Sequence, residues 1–142
     1  MWKATRSPLL LFPLLLAPVT LGGLQQTIPA PAAGVWHLLA ADEPEKPLPE
    51  HRVDFRLQTS ATPFAATMIN RLTGEDIPLA AATFDGRTLR LTLRGDGSVP
   101  QADMGWLQMT WNGTRFDGGY VDKEGKLRAG PAGKLKLIKG VK

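Results

Sequence analysis

The chain has 142 residues, a formal net charge of +4 and no cysteine. That length suits one domain, and the lack of cysteine excludes disulfide scaffolds, cysteine nucleophiles, thiolate zinc sites and a lipid-modified N-terminal cysteine. The 15 glycines and 12 prolines favour a turn-rich β protein over a helical bundle.

Lys3 and Arg6 precede an uncharged apolar run, residues 9–21. A basic start followed by such a run is the pattern of a secretory signal peptide. Ala30-Pro31-Ala32 fits a small-x-small cleavage site, and Thr20-Leu21-Gly22 lies nearer the run. A bilayer span needs about 20 apolar residues, and Pro13 and Pro18 interrupt this one. Residues 1–22 are therefore expected to be a signal peptide or N-terminal anchor, with 23–33 as a linker and 34–142 as a single β domain. The product is expected to be exported, periplasmic or extracellular, with a membrane tether as the variant. Without Lys3 and Arg6, 15 basic residues face 13 acidic ones, leaving +2. So small an excess gives no reason to expect a nucleic-acid partner.

The period of two then takes over. Residues 34–39 read as a first strand. Residues 40–50, acidic and broken by three prolines, read as an exposed, partly extended loop. Val53, Phe55 and Leu57 alternate with Arg52, Asp54, Arg56 and Gln58, which predicts a half-buried strand. Phe64, Ala66 and Met68 alternate with Ala65, Thr67 and Ile69. Residues 71–76 read as a turn, and 77–84 as one strand with Pro78 near its start. Asp85-Gly86 suits a type I′ hairpin turn. Leu89, Leu91 and Leu93 then share one face of the returning strand. After a loop over 95–103, Leu107, Met109 and Trp111 share a face, and Asn112-Gly113 forms a second hairpin turn. Residues 114–121 return, 122–125 turn again, and Leu135 and Leu137 alternate with Lys134 and Lys136. About eight short strands at this spacing predict an all-β, antiparallel up-and-down barrel or strongly curled meander.

The chemistry-bearing residues are sparse. His37 and His51 lack a Ser or Cys partner motif and a metal-ligand spacing, so neither is assigned a role. Asp42, Glu43, Glu45 and Glu50 lie among prolines rather than on a calcium-binding loop. Asp96 and Asp103 are too isolated for a two-carboxylate hydrolase. Asn112-Gly113-Thr114 matches a glycosylation sequon, but it also serves as the turn. Lys134, Lys136, Lys139 and Lys142 read as guards of an edge strand. No catalytic, cofactor or metal residue emerges. Trp106, with Gln108 and Thr110, points away from the Leu107 face and is the best candidate for a contact surface.

Several stretches carry a resemblance. These are Met68-Ile69-Asn70 leading into Glu75-Asp76-Ile77-Pro78-Leu79, Phe84-Asp85-Gly86 before Leu89, Leu91 and Leu93, and residues 111–120. From Phe55 to Leu137 the chain resembles a small lipocalin-like β-barrel domain of exported bacterial proteins, often found ahead of thioredoxin-like or hydrolase domains. The resemblance implies a barrel, export and a non-catalytic accessory role, and it assigns no functional residue. The chain departs from that pattern in having no Cys-x-x-Cys, so the resemblance carries over no redox role.

Three functions are carried forward. The first is a non-catalytic binding module for a small apolar ligand or an envelope protein. Ala66, Ala80, Ala82, Gly118 and Gly119 would leave interior room for such a ligand. The second is a membrane-tethered structural or interaction domain using Trp106. The third is an enzyme whose site is invisible in the sequence, which a cleft holding His37 or His51 against a carboxylate would revive.

Overall fold

Nine strands, most of them alternating apolar and polar side chains, form in the computed structural model, which describes residues 28–140. They are β1 (Gly34–Ala40), β2 (Val53–Gln58), β3 (Ala65–Ile69), β4 (Asp76–Pro78), β5 (Ala81–Phe84), β6 (Thr88–Thr92), β7 (Trp106–Trp111), β8 (Phe116–Val121) and β9 (Leu135–Lys139). All pair antiparallel in one sheet, in the order β4-β3-β2-β1-β9-β8-β7-β6-β5. No α-helix occurs among the described residues, so none of them forms a helix able to cross a membrane. The proposed signal or anchor, residues 1–22, lies outside the described residues.

The order makes the sheet curl. β9 returns to pair with β1, so the free edges are β4 and β5, which are consecutive in the chain. Laid flat, the outer two of nine strands would stand nearly 40 Å apart, taking roughly 4.8 Å per strand. The stretch from Pro78 to Ala81 can span only about 11 Å. The sheet must therefore bend round until its edges approach, and the result is a strongly curled, barrel-like meander. Across the seam the Phe64 and Phe84 rings lie 5.8 Å apart.

One expectation fails here. Residues 77–84 form two strands on opposite edges rather than one strand. Pro78 has no N–H to extend a ladder, and Leu79 packs into the core. Ala80 N–H then bonds Thr92 O at 2.9 Å on the far side of the seam.

The inward faces form a core of Trp36, Leu38, Phe55, Leu57, Leu89, Leu91, Leu107, Met109, Trp111, Phe116 and Leu137. A string of rings runs through it. Phe116 lies 5.3 Å from Trp36, 4.9 Å from Trp111 and 5.8 Å from Phe84. A buried indole needs a partner for its N–H. The segment just before β1 supplies both, as Trp111 Nε1 donates to Pro29 O at 2.7 Å and Trp36 Nε1 to Ala32 O at 3.0 Å. Pro31 between them is buried.

Gly118 and Gly119 do not leave interior room. A Cβ on Gly118 would overlap the backbone oxygen of Gln108, and one on Gly119 would meet the Gly133 backbone at 2.5 Å. These glycines let backbones approach closely.

The two hairpin turns share one device. Asp85 Oδ1 accepts from the N–H groups of Arg87 (2.9 Å) and Thr88 (2.7 Å). Asn112 Oδ1 accepts from Thr114 (2.8 Å) and Arg115 (2.9 Å). Gly86 and Gly113 take φ of +100° and +99°, where a side chain would be strained. The two backbone N–H donors hold the Asp85 carboxyl below the ordinary carboxylate range.

The lysine strip also reads differently in the fold. β9 is paired on both sides, by β1 and β8, so it has no edge to guard. Lys136 is buried, and its ammonium donates to Glu43 O at 2.6 Å. The acidic loop after β1 is largely exposed, yet this bond ties it to the sheet. Lys142 lies outside the described residues.

Candidate functional site

Two outer regions carry the chemistry. The first is the expected contact face. β7 turns Leu107, Met109 and Trp111 inward, which leaves Trp106, Gln108 and Thr110 on the opposite side. Thr110 is exposed, whereas Trp106 and Gln108 are half-buried. The reason lies in their neighbours. Trp106 Nε1 donates to Gln108 Oε1 at 3.0 Å, and the Arg90 guanidinium carbon sits 4.3 Å from the indole centroid. Such stacking on an aromatic face contributes about 0.5–1 kcal/mol at an exposed site. Beside the indole is a shallow hollow of about 280 Å³, lined by Leu93, Met104, Tyr120, Val121 and Arg128 among others. Burial raises the Tyr120 phenol above its ordinary pKa of 10.0.

The second region was assigned no role from the sequence. Trp36 and Phe55 pair across β1 and β2 and both face the core. Their chain neighbours His37 and Asp54 are therefore partners on the outer face. Both are buried, at 8% and 7% exposure, and a buried polar group needs a hydrogen-bond partner. His37 Nδ1 lies 2.7 Å from Asp54 Oδ1 and 3.2 Å from Arg52 Nε; an ionised carboxylate can only accept, so the bond to Asp54 calls for the tautomer with its proton on Nδ1. Arg52 Nε donates to the same oxygen at 3.0 Å, and Arg52 Nη1 to Pro49 O at 3.3 Å. Asp54, itself held by Arg52, thus fixes the imidazole in one orientation.

This group lines a cleft of about 650 Å³ between β1, β2 and the end of β9. Arg56 and Lys139 also line it, with Ala33, Val35 and Ile69 as apolar walls. Arg56 is paired with Asp76 at 3.2 Å. No lining residue carries a hydroxyl or thiol.

The remaining candidates stay apart. His51 is exposed, 3.9 Å from Glu43. Asp96 and Asp103 line one hollow of about 490 Å³, but each is already engaged. Ser98 donates both its hydroxyl and its N–H to Asp96, lowering that carboxyl's pKa, and Lys123 stands 3.4 Å from Asp103. Among the described residues no group of three or more His, Asp or Glu side chains could hold a metal ion.

No protein-family model, curated protein or solved structure matches the chain.

Proposed function

We propose that this is an exported, non-catalytic β-barrel binding module that engages an envelope protein through its outer surface. Support comes chiefly from the filled interior. Five interlocked aromatic rings occupy the space a lipocalin-type barrel would give to a ligand, and Gly118 and Gly119 serve close backbone approach. Recognition of a small apolar molecule inside the barrel is accordingly the weaker version. The lipocalin-like kinship belongs to the same proposal and is supported by the antiparallel meander. Export is supported by the charge and hydropathy pattern of residues 1–22, which would equally serve a membrane tether.

The contact face on this reading is Trp106 with Gln108 and Thr110. A half-buried aromatic flanked by polar groups is a common anchor in protein interfaces. The test is cross-linking of the full-length chain in its native envelope, with Trp106→Ala beside wild type. A discrete adduct that weakens at least fivefold in the variant, with folding unchanged, is the expected result. An adduct of equal yield would remove Trp106 from the interface.

A second reading, base catalysis, is raised by the His37–Asp54 pair, because a carboxylate orienting an imidazole is the arrangement of a general base. No lining residue carries a hydroxyl or thiol for that base to activate, so the proton would have to come from water or from the substrate itself. Binding is the reading the lining residues support better.

A further inference from the structure

Residues 28–33, expected to belong to a linker, are part of the packed domain. Trp111 Nε1 donates to Pro29 O at 2.7 Å, across 82 positions of sequence, and Trp36 Nε1 to Ala32 O at 3.0 Å. Both indoles are core members, at 7% and 1% exposure. Pro31 is buried between the two bonds. The segment also lies over the Asn112-Gly113 turn, since a Cβ on Gly113 would stand 3.4 Å from Ile28 Cγ2 and 3.8 Å from Pro29 Cδ. Pro29 and Pro31 have no N–H, so the segment docks without stranding a donor at either position. Residues 28–33 are thus a strap across one end of the barrel.

This bears on how an export signal can be removed. Two small-x-small sites follow the apolar run. Thr20-Leu21-Gly22 ends directly after it, and Ala30-Pro31-Ala32 ends inside the strap. A cut after Ala32 would carry away Pro29, Pro31 and Ala32. Two buried indole N–H groups would then lose their acceptors, and a buried donor without a partner is costly. The same cut would uncover the Trp36 and Trp111 rings. A cut after Gly22 keeps every one of these contacts.

We propose that the signal is cut between Gly22 and Gly23 and that the Ala30-Pro31-Ala32 site is not used. The inference rests on the export reading. The step is hydrolysis by a signal peptidase. Water adds across the amide, leaving a carboxylate on Gly22 and an ammonium on Gly23.

The test is intact mass and N-terminal sequencing of the chain recovered from the envelope of its source, for wild type, Ala32→Gln and Gly22→Gln. Glutamine is too large for the last position of a small-x-small site. Ala32 is exposed and accepts through its backbone oxygen, so Ala32→Gln leaves the strap in place. Wild type and Ala32→Gln should both begin at Gly23, with yields within twofold, and Gly22→Gln should lower that product at least fivefold. Any other wild-type start overturns the assignment. A chain that keeps Met1 takes the cleaved form of the export reading with it, whereas a start at Ala33 leaves export standing and makes the strap dispensable. Hydrogen exchange of the full-length chain checks the strap separately. The Trp36 and Trp111 indole N–H groups should exchange at least tenfold more slowly than that of Trp106, and equal rates would overturn the proposal.

Discussion

The Trp106 face and the His37 cleft are built by the same strand alternation, yet they differ in what they hold. On β7, three outward residues two apart make a flat face whose groups satisfy one another, Trp106 with Gln108 and Arg90. In the cleft, residues from β1, β2 and the end of β9 converge, and one imidazole nitrogen is left without a hydrogen-bond partner among the described residues. A flat face of near neighbours can be read along one strand. A concave site needs the register between strands, because its members are 17 residues apart at His37 and Asp54 and farther still at Gly140. The signal was nonetheless present in the sequence. Once residues 34–39 and 53–58 are paired with Trp36 opposite Phe55 in the core, His37 and Asp54 must meet outside.

Substitutions should separate the two regions by scale. Gly118→Ala, under the Trp106 face, should cost about 3 kcal/mol or more in urea unfolding, because backbone at Gln108 blocks the new methyl. A loss within 0.5 kcal/mol, on the order of ordinary surface changes, would show that β7 and β8 can separate. Asp54→Ala should cost about 3 kcal/mol, since it strands a buried imidazole N–H and the Arg52 guanidinium. If it is no more damaging than Gln108→Ala, the cleft is not held together by its ion pair.

Trp106→Ala should cost only about 1–2 kcal/mol, from partial burial and the Arg90 stack. That is small enough to leave the protein folded, and a collapse of the fold would make the face structural. The smallest effect is expected from alkali. Tyr120 is the only tyrosine, and burial raises its pKa above 10.0. Its stabilising contribution is full below pH 10 and lost as pH rises through the higher folded value. Absorbance of the folded protein should therefore titrate later than that of the unfolded chain. Coincident curves would place Tyr120 in open water.

Most of the strand pattern was legible because every core position repeats at two. Two features were not. The split at Leu79 and Ala80 depends on closure of the whole sheet, which no local window contains. The burial of Lys136 depends on β9 returning to β1, a pairing between the first and last strands. The lysine alternation alone reads equally well as an edge.

The account rests on a filled interior, and the indole N–H groups of Trp36 and Trp111 report on it directly. Their resonances should remain unmoved when the full-length chain is titrated with the apolar probe 1-anilinonaphthalene-8-sulfonate, because their carbonyl partners and neighbouring rings leave it no room. A one-to-one complex that shifts both would show that the barrel opens to hold a ligand, and would contradict recognition at the outer surface.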